Sequence, residues 1–135
     1  RRSAAASDVY KRQVLKLCAS HADLDSDALA ARGREVIGER RTVTHSHLGD
    51  YGLLEISAPG VTKASGLEAL CAELGVAAAD VAAFGDMPND LPMLAWAGPG
   101  FPIAQGPPLL LRPGFARTAA PQDDEVGRTI LRRLG

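Results

Sequence analysis

Two carboxylates and one amide lie close together in a single short stretch of the chain. Asp86, Asn89 and Asp90 fall within the sequence Gly85-Asp-Met-Pro-Asn-Asp90. Carboxylate and amide oxygens are suitable ligands for a hard cation such as Mg²⁺. The apolar run Val81–Phe84 predicts a buried strand that ends just before Asp86. Because ligands in open α/β sheets bind at the carboxyl ends of the strands, this stretch suits a metal site.

The same residues also suit a purely structural role. Aspartate and asparagine often cap helices and form turns, so Asn89 and Asp90 can simply start a helix at Leu91. An EF-hand calcium loop is a poorer match, because its glycine and its distal glutamate are not at the required offsets. Gly85 is expected to let the backbone turn sharply after the strand. The spacing alone leaves the metal site and the helix cap both open.

Upstream of this stretch, a lysine directly precedes a predicted helix. Ser65 and Glu68 have the spacing of a capping box, and Gly75 supplies a stop signal. The apolar positions recur at helical spacing and predict one buried stripe, made of Leu67, Leu70, Cys71 and Leu74. Lys63 is therefore expected in a loop just before a helix, where residue type alone favours a solvated surface charge.

Two motifs in this chain resemble those of the haloacid dehalogenase-like (HAD) phosphatases. The stretch from Gly85 to Gly98 resembles the pattern G-D-x-x-N-D-x-x-M-L-x-x-A-G of the Cof-type sugar-phosphate phosphatase branch, and Val61–Leu67 resembles the lysine motif of that branch. The spacing of the motifs fits the branch, and the resemblance covers roughly residues 52–135. It implies an α/β fold consisting of the C-terminal half of a HAD-like Rossmannoid parallel sheet plus part of an α/β cap domain.

The resemblance also implies a role for each site residue. Lys63 would contact the phosphoryl oxygens as a catalytic and substrate-binding group, and Asn89 would bind the substrate phosphate or hold the loop. Asp86 would bind Mg²⁺. Asp90 would support the metal shell, through water or through a hydrogen bond to Lys63. The implied reaction is Mg²⁺-dependent hydrolysis of small sugar phosphates or similar metabolites through a phospho-aspartate intermediate.

The chain departs from this family in three places. The motif D-x-D-G-T, which carries the nucleophile and the general acid/base, does not occur, and no strand ending in a phosphate-binding serine or threonine is found upstream of the cap. Gln105-Gly-Pro107 replaces the family's G-N-A. We therefore expect an inactive fragment of such a phosphatase. The alternative is a non-catalytic binding or interaction module that retains this half of the fold.

Residues 14–58 are predicted to form the partial cap domain. The pattern indicates a strand at Val14–Ser20, a helix that is capped by Asp25 or Ser26 and ends near Gly38, and a hairpin of strands at Arg41–His47 and Leu53–Ile56. His45 and His47 lie in this hairpin without a third ligand nearby, so we interpret them as exposed residues rather than a metal site.

Residues 59–135 are predicted to form the half core, after a linker at Pro59-Gly60. The expected elements are listed in chain order: a helix at Leu91–Ala97, a strand at Phe101–Ala104, a turn at Pro107–Leu111, a strand at Phe115–Ala119, and a helix from Asp123 with a buried stripe of Val126, Ile130, Leu131 and Leu134. Trp96 is expected to pack in the core. Alternating strands and helices of these lengths favour a parallel sheet.

Composition excludes several classes of partner. The 135 residues carry 15 basic and 16 acidic side chains, a net charge of −1, which argues against nucleic acid or an anionic membrane as the main partner. Cys18 and Cys71 lack metal-site spacing and are predicted to be buried free thiols. Residues 1–13 resemble a non-native or disordered leader. No secretory signal is visible, so we predict the cytoplasm. The family resemblance implies a small phosphorylated metabolite as partner.

Overall fold

The computed structural model describes residues 14–103, 106–110, 115 and 125–134. The helices are α1 (Ser26–Ile37), α2 (Lys63–Leu74), α3 (Leu91–Trp96) and α4 (Glu125–Leu134). The strands are β1 (Leu17–His21), β2 (Thr42–Thr44), β3 (Gly52–Ser57), β4 (Ala83–Gly85) and β5 (Gly100–Pro102). The predicted leader at 1–13 and the predicted strand beyond Phe115 lie outside these residues. None of the helices within the described ranges is long and apolar enough to cross a membrane.

The first part of the chain forms an antiparallel sheet covered by α1. Strand β3 lies in the centre, between β1 and β2, and the register pairs Val43 with Ile56. The interface between the sheet and α1 is apolar, with buried Val43 and Leu54 on the strands and buried Ala30 on the helix. Because successive side chains of a strand point to opposite faces, Glu55 lies on the face away from α1. The predicted strand, helix and hairpin are confirmed.

Helix α1 has clear signals at both ends. The carboxylate of Asp25 accepts a hydrogen bond from the amide of Ala28 at 2.7 Å, which satisfies one of the free donors of the first turn. At the other end, Gly38 has a φ of 59°, which favours glycine. Both boundaries agree with the sequence prediction.

The second part of the chain is built on the parallel pair of β4 and β5. Phe84 pairs with Phe101, and their rings stack at a centroid distance of 4.9 Å. Helix α3 packs beside the two strands, and the buried side chains of this cluster are Ala83, Leu94, Ala97 and Leu110. Trp96 packs against it, as predicted. This apolar cluster is separate in sequence from that of the antiparallel sheet, and the turn around Gly60 joins the two parts.

Two predicted apolar stripes are buried only in part. On α2, Cys71 is buried, but Leu70 and Leu74 are 50% and 66% exposed, because this helix packs against α3 along one side. On α4, Ile130 and Leu131 are 43% and 71% exposed. Helical periodicity identified the apolar residues correctly, but it does not tell which of them find a packing partner.

The environments of two other predicted residues also differ from expectation. Cys18 is an exposed free thiol, because it pairs with Glu55 on the face of the sheet away from α1, whereas the free thiol of Cys71 is buried as predicted. His45 is only 3% exposed, and its Nε2 lies 2.9 Å from the carboxylate of Asp27. The prediction of an exposed His45 was wrong because His45, two residues after Val43, lies on the side that packs against α1. His47 is half-buried.

Candidate active site

The Asp90 carboxylate is the centre of a small network at the end of β4. The side chain is 4% exposed. Its Oδ2 accepts hydrogen bonds from the backbone amides of Asp86 at 3.1 Å and Met87 at 3.0 Å, and its Oδ1 accepts a hydrogen bond from Nζ of Lys63. One buried carboxylate therefore fixes the loop after β4 and places the lysine beside it. Of the two predicted ways for Asp90 to act, the structure has the direct hydrogen bond to Lys63.

Gly85 provides the space that this network needs. A Cβ atom added at Gly85 would overlap the side chain of Asp90. The φ angle of Gly85 is not positive, unlike those of Gly38, Gly60 and Gly75. Gly85 therefore acts through its small size rather than through a positive φ, because the missing side chain lets the Asp90 carboxylate reach the amides of the loop.

Lys63 is the first residue of α2 rather than a residue of the preceding loop. The hydroxyl of Thr62 accepts from the amide of Ser65 at 3.1 Å, and the Ser65 hydroxyl accepts from the amide of Thr62 at 2.9 Å. This reciprocal capping box starts the helix three residues earlier than the predicted box of Ser65 and Glu68. Lys63 is thereby held at a helix start, with its side chain 48% exposed.

Asp86 and Asn89 carry the unengaged polar atoms of the site. Asp86 directly follows β4 and is exposed, and within the described residues its carboxylate has no hydrogen-bond partner. The Oδ1 atom of Asn89 is buried and has none either. By contrast, the Asp90 carboxylate already accepts three hydrogen bonds. Among the described contacts, Asp86 is therefore the carboxylate that remains available to bind a cation directly.

These residues suit a cation that takes few protein ligands. The part of the chain that the structure describes contains no group of three or more histidine, cysteine, aspartate or glutamate residues placed to hold a metal. Mg²⁺ commonly binds through one or two carboxylates and completes its shell with water and substrate phosphate. The free carboxylate of Asp86 fits that mode, whereas it does not make a closed metal site by itself.

A cavity of about 420 Å³ lies beside the lysine, and residues from both parts of the chain line it. Lys63 and Asn89 contribute from one side, and Asp86 is not among the lining residues. The opposite wall comes from the antiparallel sheet, and its polar members are Lys16, Thr44, Ser46, Glu55 and Ser57. A volume of this size is within the ordinary range for small-molecule sites.

An ion pair lies on the side of this cavity that the antiparallel sheet lines. Nζ of Lys16 donates a hydrogen bond to Oε1 of Glu55 at 2.6 Å, with the two side chains 48% and 15% exposed. The hydrogen bond to Glu55, followed by the attraction of its charge, raises the pKa of Lys16 above its ordinary value of 10.5. Sequence reasoning missed this pair and the hydroxyls beside it. The alternation of Thr44 and Ser46 with apolar positions was a signal for one polar face, but strand pairing was needed to add Glu55.

Comparison with known proteins by sequence finds one matching family model and relatives that are named as phosphatases. The sequence model described as haloacid dehalogenase-like hydrolase matches residues 2–117. An HMP-PP phosphatase of Cronobacter sakazakii is 35% identical over 99 residues, which are 73% of this chain and 35% of that protein. The 5-amino-6-(5-phospho-D-ribitylamino)uracil phosphatase YitU of Bacillus subtilis is 35% identical over 96 residues, 71% of this chain and 34% of that protein.

Comparison with solved structures supports the fold. The HAD subclass IIB sugar phosphatase BT4131 superposes with a TM-score of 0.72 at 18% identity, over 90% of this chain and 44% of that one. At this identity the likeness establishes the α/β architecture. The chain spans about a third of the length of the two curated relatives and less than half of the solved structure.

Proposed function

Because the chain belongs to the haloacid dehalogenase-like hydrolase family, we propose that it forms part of a Mg²⁺-dependent phosphomonoester hydrolase. The proposed substrates are small sugar phosphates or similar phosphorylated metabolites. The two curated relatives are named as phosphatases, one of them for a phosphoribityl compound, which supports this substrate class.

The observation that carries the proposal is the buried link between Lys63 and Asp90 next to the free carboxylate of Asp86. Lys63 has three N–H donors and uses one on Asp90, so the others are available to phosphoryl oxygens. A fixed cation beside a transferring phosphoryl group stabilises the charge on its oxygens. Asp90 acts by holding Lys63 and the loop in position, and a non-catalytic module has no chemical need for such an arrangement.

The remaining roles follow from what each side chain has free. Asp86 would hold Mg²⁺, which when bound neutralises phosphate charge and orients the phosphoryl group. The amide of Asn89, which lines the cavity, would hydrogen-bond the substrate phosphate through its N–H groups.

The proposed reaction needs an aspartate nucleophile that this sequence does not contain, since D-x-D-G-T does not occur in it. The nucleophile's carboxylate would attack phosphorus while the bond to the leaving-group oxygen breaks and that oxygen takes a proton from the general acid. Water would then release inorganic phosphate and regenerate the carboxylate. We propose that a segment outside these 135 residues supplies both groups.

The test is phosphate release from a panel of sugar phosphates, measured for the open reading frame that contains this chain and for the 135-residue chain itself. We expect Mg²⁺-dependent release by the former, abolished by EDTA, and none by the latter. In the longer protein, Lys63→Met and Asp86→Asn should each lower kcat by about a hundredfold or more, the scale of losing one stabiliser of developing charge. Glu68→Gln, on the exposed face of α2, is the matched control. Release by the isolated chain, or unchanged release by both site variants, would contradict the proposal.

A further inference from the structure

The wall of the cavity opposite Lys63 carries a charge pattern that is unusual for a site that binds phosphate. Glu55 places a carboxylate there, 15% exposed, where it would repel a dianionic substrate. Lys16 lies 2.6 Å away and offsets that charge. The ion pair makes this wall close to neutral and places a carboxylate in the cavity lining, whereas Asp90, the partner of Lys63, is buried and is not among the lining residues.

The same wall is rich in groups that can both donate and accept hydrogen bonds. The hydroxyls of Thr44, Ser46 and Ser57 line it beside the ion pair. The antiparallel register sets this arrangement, because it pairs Thr44 directly with Glu55 and so brings β2 and β3 residues together on one face. The opposite face of these strands is apolar and packs on α1.

We propose that the Lys16–Glu55 pair recognises the leaving group of the substrate. The pair selects a leaving group that carries hydroxyl or amino groups and rejects one that ends in a second phosphate. This inference rests on the proposed function, because it assumes that the phosphoryl group lies at Lys63. Glu55 accepts hydrogen bonds from the leaving group, and the free N–H groups of Lys16 donate to its oxygens. A second phosphate would lie beside the Glu55 carboxylate. The single positive charge of Lys16 already compensates that carboxylate and cannot also compensate the phosphate.

The rejection of an alkyl chain follows from the same contacts. An apolar leaving group would displace water from a carboxylate, an ammonium group and the hydroxyls without replacing the hydrogen bonds that these groups lose. Removing water from polar groups without giving them new partners is costly, and it discriminates more strongly than missing apolar contact does.

The experiment is an amide-resolved NMR titration of the 135-residue chain with four probes: inorganic phosphate, ribitol 5-phosphate, n-pentyl phosphate and 1,5-pentanediol bisphosphate. Ribitol 5-phosphate and pentyl phosphate have the same carbon chain and differ in the hydroxyls. We expect all the probes to shift the amides around Lys63 and Asn89, and ribitol 5-phosphate to shift those of Thr44 and Glu55 as well. It should bind about tenfold more tightly than pentyl phosphate, the scale of one hydrogen bond to a charged group. The bisphosphate should bind no more tightly than pentyl phosphate.

The variant Glu55→Gln tests the assignment to the ion pair. It should reduce the preference for ribitol 5-phosphate over pentyl phosphate and should strengthen binding of the bisphosphate, because it leaves the Lys16 charge unpaired. Glu39→Gln, at an exposed glutamate in the 3₁₀ turn after α1, is the matched control and should change neither. The comparison of probes on the unaltered chain stands even if Glu55→Gln fails to fold.

The outcomes separate this inference from the proposed function. Equal affinity for ribitol 5-phosphate and pentyl phosphate, with shifts confined to the Lys63 loop, would overturn the leaving-group assignment and leave the phosphatase proposal standing. Unchanged preference in a folded Glu55→Gln variant would also overturn it. No shift near Lys63 and Asn89 with any of the four probes would overturn both.

Discussion

The substitution Asp90→Asn isolates what the buried carboxylate contributes. The change keeps the size of the side chain, but it removes the charge and replaces one acceptor oxygen with an N–H donor. If the remaining oxygen continues to accept from the amides of Asp86 and Met87, the new NH₂ group faces the ammonium of Lys63. The variant therefore cannot keep all three of the hydrogen bonds that Asp90 accepts.

The expected loss of stability follows from the three contacts. Hydrogen bonds to a charged acceptor are roughly twice as strong as neutral ones, so the two amide bonds should each weaken by about 1 kcal/mol. The lost link to Lys63 adds about 1 kcal/mol and no more, because that side chain is 48% exposed and water screens its charge. The free energy of unfolding should fall by about 3 kcal/mol, which corresponds to a Tm lower by about 12 °C for a chain of this size.

The assay is thermal and urea unfolding of the chain followed by circular dichroism. Asp86→Asn is the matched control, because its carboxylate is exposed and has no partner within the described residues, so its unfolding free energy should change by less than about 0.5 kcal/mol. A double-mutant cycle with Lys63→Met should return a coupling of about 1 kcal/mol. The reasoning is refuted if Asp90→Asn proves as stable as Asp86→Asn, or if the coupling is zero.

Three further predictions concern other parts of the molecule. Gly85→Ala should lower the free energy of unfolding by about 2 kcal/mol or more, because the new methyl group overlaps the buried side chain of Asp90. Urea denaturation measures the change, and a variant as stable as the unaltered chain would contradict the packing around this glycine. The raised pKa of Lys16 means that its bond to Glu55 stabilises the fold fully below pH 10.5 and is lost as pH rises through the folded pKa. The difference in Tm between the unaltered chain and Lys16→Gln should therefore shrink as the pH rises above 10.5. The contribution of the ion pair stays below about 1 kcal/mol, because Lys16 is half exposed. A Tm difference that stays constant as the pH rises would contradict this prediction. Exposed Leu70 and Leu74 should promote self-association of the chain, which light scattering detects. The double variant Leu70→Lys with Leu74→Lys should associate less. Identical scattering by both proteins would show that other surfaces cause the association.

Local signals in the sequence predicted much of the fold. The cap at Asp25 and the stop at Gly38 fixed helix α1, since both signals act on backbone groups within one or two turns. The apolar run before Asp86 correctly predicted a strand ending there, and it follows that the loop residues lie at its carboxyl end. The residues that form the Asp90 network were all among the predicted site residues or their immediate neighbours.

The rest depends on contacts between residues far apart in the chain. His45 is buried against α1, where its hydrogen-bond partner Asp27 lies 18 residues away in sequence, and the wall of the cavity depends on the pairing of β2 with β3. The role of Gly85 depends on where the Asp90 side chain packs, which residue spacing does not specify. The predicted cap of α2 was wrong for a different reason. Two overlapping capping boxes were possible, one starting at Thr62 and one at Ser65, and residue spacing does not decide between them.

The central claim is that the loop from Asp86 to Asp90 and Lys63 form one site for a divalent cation and a phosphate group. Its most direct test is paramagnetic broadening of amide NMR signals by Mn²⁺, used in place of Mg²⁺, with saturating inorganic phosphate. We expect the amides of Asp86, Met87 and Asn89 to broaden first, phosphate to shift Lys63, and Asp86→Asn to abolish the broadening there. Broadening that starts elsewhere, for example around His45 and Asp27, or that persists in Asp86→Asn, would contradict the claim.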